Sequence, residues 1–251
     1  MLILAFDTTN EHGGVGIYRD AECLALVPNE GPANQYSISL FEMVGQALAM
    51  THLEISQIEL FAAAHGPGSF TGIRVGLAAA QAWSKAFGRP ARGVSVLEAM
   101  VRKQGLGTAQ SELGRCAPDW FFPILDARRG EFFLGVFRRK PSELPNSPRP
   151  EYERADPGKV LKPDALREFM EGRFAGGESA TCLVRAHDQA AAGLRTVLPS
   201  TLNWQSIEGL LVDAVAGIAR GDVLSAAPCP DARLEAYYIR RPDAEVKWKG
   251  D

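Results

Sequence analysis

The segment His65-Gly66-Pro67-Gly68-Ser69-Phe70-Thr71-Gly72-Ile73-Arg74-Val75-Gly76 says more about the fold of this chain than any other stretch. An apolar run at residues 59–64 precedes it, and a small-residue helix is predicted over residues 71–87, with Gly88 as its stop. A strand, a glycine-rich turn and a helix in this order expose backbone N–H groups that can bind an anion. A tight structural turn explains the glycines equally well, and no Gly-Lys-Ser/Thr follows them as in a P-loop. The turn residues are Gly66, Pro67, Gly68 and Gly72.

The chain also contains an internal repeat of a strand–turn–strand unit. Asp7 follows an apolar strand over residues 2–6, and Asp126 follows one over residues 121–125. Nine residues after each aspartate comes a similar run, Gly16-Ile17-Tyr18-Arg19 and Gly135-Val136-Phe137-Arg138. The repeat predicts a hairpin turn holding Asp126 and Gly130, equivalent to the turn after Asp7. It also predicts two domains built alike, which is the plan of the α/β actin-like ATPase (ASKHA, ribonuclease H-like) fold, with a duplicated β-meander plus helices.

The order of the other elements agrees with this architecture. In the first half, strands are predicted at residues 2–6, 15–18, 22–27, 60–64 and 93–96, and helices at 35–50, 71–87 and 97–104. In the second half, the proline-rich stretch 141–163 is predicted as loop, and helices are predicted over 163–172 and 205–220. We therefore expect a first domain at residues 1–104 and a degenerate second copy at 105–251. Whether the helix over residues 205–220 packs back on the first domain is left open.

Composition limits the class of protein. The chain has 251 residues, with 46% hydrophobic and 23% charged residues, enough for an ordinary soluble core. Its net charge of −3 disfavours strong autonomous binding to nucleic acid. No stretch approaches the ~20 apolar residues of a transmembrane helix, so no membrane partner is expected. The four cysteines are far apart and form no CxxC pair, which favours reduced thiols and a cytoplasmic protein.

No catalytic or metal-binding constellation is evident, and we expect no metal site. The four histidines, at positions 12, 52, 65 and 187, are dispersed, and no G-x-S-x-G nucleophile motif surrounds Ser69. Asp7-Thr8-Thr9 has the residue types with which an actin-like kinase holds magnesium and phosphate. Local hydrogen bonds that close the strand are the alternative explanation. The weak candidates for nucleotide contacts are Asp7, Thr8, Thr9, Gly66 and Gly68.

Four segments of the chain resemble the TsaB (YeaZ) family. The string GPGSFTG at residues 66–72, continued by Ile73-Arg74-Val75-Gly76, looks like the signature of that family. Ile3-Leu4-Ala5-Phe6-Asp7-Thr8-Thr9 resembles its opening strand, and Leu125-Asp126-Ala127-Arg128-Arg129-Gly130-Glu131 resembles its central hairpin. Ala236-Tyr237-Tyr238-Ile239-Arg240 resembles its C-terminal tail, whereas residues 139–200 carry no matching motif.

The resemblance implies a non-catalytic scaffold and activator of TsaD in the N6-threonylcarbamoylation of adenosine in tRNA (t6A biosynthesis). It implies a heterodimer with TsaD, joined by an ATPase called TsaE. Separately, an exposed apolar helix surface is expected to pair two copies of the chain as a homodimer when it is alone. ATP or ADP is expected only in that complex, and tRNA is contacted only through it. TsaD-like relatives hold a metal with two histidines spaced i, i+4, but the corresponding residues 35–41 include no histidine. The alternatives are an actin-like phosphotransferase or ATPase and a glycoprotease-like metallopeptidase.

Two helices of the first half have more apolar surface than one sheet needs. Helix 35–50 is apolar over about half of its circumference, whereas a stripe of ~100° is enough to cover a sheet. Helix 71–87 is rich in glycine and alanine, which allow close helix approach. Packing within the chain is the alternative to a partner. The residues assigned to a partner interface are Leu40, Met43, Ala47, Met50, Val75, Ala79 and Ala82.

Overall fold

The computed structural model of the chain describes residues 1–32, 35–107, 118–140, 151–173, 178–225, 234–236 and 239. The chain divides into two compact units, one of Met1–Ala99 with Leu210–Tyr237 and a second that contains Met100–Gly209. The expected division after residue 104 therefore differs from the observed one, because the chain returns to the first unit at Leu210. Each unit is built on one mixed five-stranded sheet.

The first unit begins with an antiparallel meander and continues with alternating helices and strands. Its strands are β1 (Leu2–Asp7), β2 (Gly14–Arg19), β3 (Glu22–Pro28), β4 (Leu60–Gly66) and β5 (Ala91–Ser95). Its helices before residue 100 are α1 (Tyr36–Thr51), α2 (Phe70–Phe87) and the start of α3 (Val96–Gly107). The sheet order is β3-β2-β1-β4-β5, with β1, β4 and β5 parallel. The carboxyl ends of these three strands therefore lie at one edge, which brings Asp7 and the glycine-rich turn together.

The second unit repeats the same order of strands. They are β6 (Trp120–Asp126), β7 (Phe132–Arg139), β8 (Tyr152–Leu161), β9 (Ala180–Arg185) and β10 (Asn203–Ile207), in the sheet order β8-β7-β6-β9-β10. Its helices are α4 (Pro163–Arg173) and α5 (Gln189–Gly193). As in the first unit, the first strand pairs antiparallel with the second and parallel with the fourth.

The expected duplication and the actin-like fold are confirmed by these two sheets. Asp7 is the last residue of β1 and Asp126 is the last residue of β6, so the two aspartates occupy equivalent positions. Asp7 lies opposite Gly14, whereas Asp126 lies opposite Phe132, so the second turn is one residue shorter than the first. The predicted hairpin after Asp126 is therefore present, with a tighter turn than its counterpart.

Local sequence signals set the bounds of α2. Ser69 is its N-cap, and the Ser69 hydroxyl accepts a hydrogen bond from the Gly72 N–H at 3.3 Å. Gly88 ends the helix in the left-handed conformation, with φ of 63°, which confirms the predicted stop. The helices predicted at residues 35–50 and 163–172 are also confirmed to within a residue or two at each end.

Each sheet carries its own hydrophobic core. In the first unit, Leu4 and Phe6 of β1 pack with Leu40 of α1 and Ile73 of α2. In the second unit, the core joins the strands to α4 and to the segment after β9; its centre includes Phe122, Ile124, Leu134, Val136, Leu166, Met170, Cys182 and Val184. Each sheet is thus covered by its own packed core, which holds the strands whose edges carry the loops.

Two predictions for the second half were wrong, and one strand was not predicted. Residues 152–161, predicted as loop, form β8; Pro157 is tolerated there because β8 is an edge strand with an irregular register. The helix predicted over residues 205–220 is instead β10 followed by α6 (Val212–Leu224), since Asn203–Ile207 pairs with β9. Strand β9 was missed altogether. Helix α6 packs against β1, β4 and β5 of the first unit.

Candidate functional site

The loop after β1 and the glycine-rich turn after β4 form one interlocked structure. Asp7, Thr8 and Thr9 are at most 1% exposed. The Asp7 carboxylate accepts hydrogen bonds from the Thr9 N–H at 2.8 Å and the Thr9 hydroxyl at 2.6 Å. Across the gap, the Thr8 hydroxyl donates to the Gly72 carbonyl at 2.7 Å, and the Ser69 N–H donates to the Thr9 carbonyl at 2.6 Å. The two segments are therefore joined by one side-chain and one backbone hydrogen bond, and the bond between Thr8 and Gly72 is buried.

The glycines of this turn are needed because the loop after β1 lies so close. A Cβ on Gly68 would come within 2.5 Å of the Thr9 carbonyl oxygen, and a Cβ on Gly72 would overlap the Thr8 carbonyl oxygen. A Cβ on Gly76 would lie 2.5 Å from the Thr8 hydroxyl oxygen. Gly66 has φ of 115°, a conformation that favours glycine, and its bond to Pro67 is cis. These contacts give a structural reason for the glycines of the string GPGSFTG.

Tyr36, at the start of α1, completes this buried cluster and was not singled out by the sequence. Its side chain is 1% exposed, and its hydroxyl donates a hydrogen bond to the Asn10 carbonyl at 2.7 Å. Burial raises the pKa of Tyr36, and the charge of Asp7 raises it further. Tyr36 therefore stays a neutral hydrogen-bond donor that fixes the loop over residues 8–13. The helical spacing of apolar residues in α1 could have indicated that Tyr36 is buried, but not that its hydroxyl bonds to Asn10.

Two hydrogen-bond acceptors of the loop after β1 lie against the glycine-rich turn. The Thr8 and Thr9 carbonyl oxygens point towards the glycine-rich turn, whereas a phosphate would be bound by donors. The nucleotide contacts assigned to Asp7, Thr8, Thr9, Gly66 and Gly68 stay a prediction.

Among the residues that the structure describes, no three His, Cys, Asp or Glu side chains lie close enough together to hold a metal ion. His65, beside the turn, has its Nδ1 atom 3.2 Å from the Glu235 carbonyl. No helix within the described ranges is both long and apolar enough to cross a membrane.

The structure corrects four of the residues assigned to a partner interface. Leu40, Met43 and Ala47 of α1, and Ala79 of α2, are at most 5% exposed and belong to the core of the first unit. They face the sheet, so they cannot form a surface for a partner. The sequence pattern misassigned them because a helix that is apolar on both sides does not reveal which side the sheet covers. Of the other three, Met50 and Ala82 are exposed and Val75 is partly buried.

The exposed apolar side of these helices consists of other residues. On α1, Ile38 and Phe41 are 66% and 55% exposed, and Gly45 and Ala49 follow on the same side. Phe41 contacts Trp83 of α2 edge to face, with ring centroids 5.8 Å apart, so the two helices adjoin here. We call the following set the α1/α2 surface: Ile38, Phe41, Gly45, Ala49, Ala78, Ala82 and Ala86.

The hairpin turn after β6 holds two arginines in an unusual backbone conformation. Arg128, Arg129 and Gly130 have φ of 65°, 58° and 71°. The Asp126 carboxylate accepts from the Arg128 N–H at 2.7 Å, and the Glu131 N–H donates to the Arg128 carbonyl at 3.2 Å. For a residue other than glycine or asparagine, this left-handed conformation costs roughly 1–2 kcal/mol. Gly130 is a residue type that the left-handed conformation favours, whereas the two arginines are not.

Known proteins with similar sequences identify the family of this chain. A family model described as TsaD, tRNA N6-adenosine threonylcarbamoyltransferase, matches residues 26–162. The tRNA threonylcarbamoyladenosine biosynthesis protein TsaB of Escherichia coli K12 is 29% identical over 174 residues, 68% of this chain and 67% of that protein. The protein of the same name from Bacillus subtilis 168 is 29% identical over 140 residues, 56% of each. The chain belongs to the TsaB (YeaZ) family.

Solved structures show the same fold. YeaZ from Pseudomonas aeruginosa superimposes with a TM-score of 0.61 at 18% identity, over 90% of this chain and 93% of that one. The matches to the curated relatives are shorter and span between 48% and 67% of those proteins for the first three. Three of the four segments that carried the resemblance lie in the structure as β1, the turn before α2 and the β6–β7 hairpin. Of the fourth, at residues 236–240, only Ala236 and Ile239 lie among the described residues.

Proposed function

We propose that this chain is a non-catalytic subunit of the machinery that attaches a threonylcarbamoyl group to N6 of adenosine in tRNA. In this proposal it binds a TsaD-type transferase as a heterodimer and activates it. Family membership supports the pathway, since the E. coli and B. subtilis relatives are both named for threonylcarbamoyladenosine biosynthesis. The family model that matches residues 26–162 is that of the transferase itself, which fits a protein of the same ancestry and a different task.

The observation that carries the proposal is the α1/α2 surface. Ile38 and Phe41 are 66% and 55% exposed and adjoin the exposed alanines of α2, and a contiguous apolar patch of this kind often marks an interaction site, whereas a single exposed apolar side chain does not. Ile38 and Phe41 lie on α1 opposite its buried face, so the first unit does not need them for its own core. The alanines at positions 78, 82 and 86 of α2 are small enough to let a partner helix approach closely. A helical partner of the same fold is therefore the occupant that we propose.

The buried edge of the first sheet supports a non-catalytic role for this chain. Asp7, Thr8 and Thr9, whose residue types fit a phosphotransferase, are at most 1% exposed and bond to the chain itself. In the proposal, ATP or ADP binds only in the complex with TsaD and a TsaE-type ATPase, and tRNA is contacted only through that complex. The same apolar surface pairs two copies of the chain when TsaD is missing.

The test is an arginine substitution on the proposed surface. Phe41→Arg puts a charge where the partner would exclude water, and a buried unpaired charge costs about 3–5 kcal/mol. We expect the variant to stay folded, because position 41 is 55% exposed, and to lose at least ~100-fold in affinity for a TsaD-type protein. Titration calorimetry measures the affinity, and mass spectrometry of tRNA nucleosides measures the modification by the reconstituted system.

Leu224→Arg is the matched control, because Leu224 is 67% exposed at the end of α6 and lies off the α1/α2 surface. It should bind like the unaltered chain. If folded Phe41→Arg protein binds the transferase with full affinity, the interface lies elsewhere. ATP turnover by the isolated chain would instead favour the phosphotransferase alternative.

A further inference from the structure

The two helices of the α1/α2 surface carry opposite charges. Within α1, Tyr36–Thr51, the charged side chain is that of Glu42, and no lysine or arginine is present. Helix α2, Phe70–Phe87, contains Arg74 and Lys85 and no aspartate or glutamate. The surface is therefore acidic along one helix and basic along the other, and a partner that covers it must match both signs.

Glu42 and Lys85 lie among the apolar residues of this surface. Both side chains are exposed. Glu42 is four positions after Ile38, and Lys85 is three positions after Ala82, so each lies on the same side of its helix as an apolar neighbour. Within the described residues, neither forms a hydrogen bond or an ion pair through its side chain. A partner that excludes water here would therefore leave two unpaired charges, unless it supplies an opposite charge for each.

The contact between Phe41 and Trp83 shows that the two charges are at a similar level. The centroids of these two rings are 5.8 Å apart. Glu42 follows Phe41 by one residue, which is a rise of about 1.5 Å along α1. Lys85 follows Trp83 by two residues, which is a rise of about 3 Å along α2. A line drawn across both helices at this contact therefore passes close to both charges.

Arg74, the other cation of α2, is a poorer match for Glu42. Its guanidinium carbon lies 3.8 Å from the centroid of the Phe70 ring. It also precedes Trp83 by nine residues, or about 13 Å along the helix. Lys85 is therefore the cation of α2 at the level of Glu42.

We infer that a second copy of this chain covers the surface with α1 laid on α2, so that Glu42 of each copy pairs with Lys85 of the other. A twofold axis along the line between α1 and α2 keeps each residue at its own level and makes the same ion pair twice. An axis across the two helices would instead lay α1 on α1, a helix that has no cation for Glu42. The inference deepens the proposed function, because it rests on the proposal that this surface pairs two copies when TsaD is missing.

Charge reversal at the two positions tests this pairing by sedimentation equilibrium. Glu42→Lys alone sets positive charges against each other at both contacts, and Lys85→Glu alone does the same with negative charges. We expect each single variant to dimerise at least ~100-fold more weakly than the unaltered chain, because like charges across an interface disfavour association.

An equimolar mixture of the two single variants restores an opposite charge at both contacts. It should form a 1:1 dimer with a Kd within about tenfold of that of the unaltered chain. The double variant Glu42→Lys/Lys85→Glu keeps the net charge and should dimerise by itself in the same range. Recovery on mixing is specific to this pairing, since a general effect of charge on stability or solubility would persist in the mixture.

Lys162→Glu and Glu168→Lys are the matched controls, since both positions are exposed on the second unit and lie off the α1/α2 surface. They should leave the Kd of the dimer unchanged. Circular dichroism checks that each variant is folded, as we expect for exposed positions 42 and 85. If the single variants dimerise like the unaltered chain, or if their mixture stays monomeric, the pairing of Glu42 with Lys85 is wrong.

Titration calorimetry with a TsaD-type protein separates this inference from the proposed function. If the unaltered chain binds the transferase but stays monomeric when alone, the inference fails and the proposed subunit role stands. If the charge reversals behave as expected but the unaltered chain binds no transferase, the pairing stands and the proposed function fails.

Discussion

Gly72→Ala is a direct test of the interlocked loop and turn. Gly72 lies in the first turn of α2, and the added methyl group would overlap the Thr8 carbonyl oxygen. Neither partner can move easily, because the Gly72 carbonyl also accepts the 2.7 Å hydrogen bond from the Thr8 hydroxyl. The glycine itself is buried. The substitution should therefore push the loop after β1 away from α2.

The expected magnitude follows from two losses. Overpacking by one methyl group in a tight interior costs typically 1–3 kcal/mol. Displacing the loop also weakens the buried Thr8–Gly72 hydrogen bond, which contributes about 0.5–1.5 kcal/mol. Together these give a destabilisation of about 2–4 kcal/mol. For a chain of this length, each kcal/mol lowers the melting temperature by about 2–4 °C, so Tm should fall by roughly 4–16 °C.

The assay is thermal and urea unfolding followed by circular dichroism. Gly217→Ala is the control: it makes the same chemical change inside α6, where a Cβ would meet nothing within 4 Å. Because alanine favours helix over glycine by up to ~1 kcal/mol, the control should be slightly stabilised. A Gly72→Ala protein that melts within about 1 °C of the unaltered chain would show that the turn has room, and the close packing argued above would be wrong.

Two further predictions concern buried groups. Met43→Arg should destabilise the chain by about 3 kcal/mol or more, because Met43 is 5% exposed and lies in the core, two residues from the exposed Phe41. Soluble yield and the urea midpoint measure this loss. A stable, folded variant would contradict the assignment of the buried face of α1. Burial raises the pKa of the Cys182 thiol from 9.0 to about 12. The folded chain therefore keeps this thiol protonated where the unfolded chain ionises it, so the free energy of unfolding is unaffected below pH 9 and falls as the pH rises towards 12. At pH 8, iodoacetamide should label exposed Cys23 but not Cys182, as read by peptide mapping, and rapid labelling of Cys182 in folded protein would refute its burial.

The first unit could be predicted largely from the sequence because its signals are local. Ser69 and Gly88 mark the ends of α2 by capping chemistry, which depends on neighbours in the chain. The repeat of Asp7 and Asp126 indicated equivalent strands because both hairpins are formed by adjacent residues. The glycine-rich turn was recognised, but the reason for Gly72 was not, since Thr8 approaches it from 64 positions away.

The second unit was harder to predict because its strands depend on distant pairing. Residues 203–207 form β10 only because β9 lies beside them, and their apolar spacing also fits a helix. The prolines of residues 141–163 predicted a loop, but β8 forms there because an edge strand tolerates proline. The α1/α2 surface was missed for a related reason. Helix α1 is apolar on two sides, and only the position of the sheet shows that Leu40 is inside and Phe41 outside.

The return of the chain to the first unit at α6 has a consequence during synthesis. Helix α6 packs on β1, β4 and β5, yet the whole segment 100–209 is translated between those strands and the helix. At typical ribosomal rates that segment takes roughly 5–20 s to make. Throughout this interval, the sheet of the first unit lacks the helix that will cover it. The nascent chain therefore carries an apolar sheet face that must be shielded, by chaperones or by delayed folding, until α6 emerges.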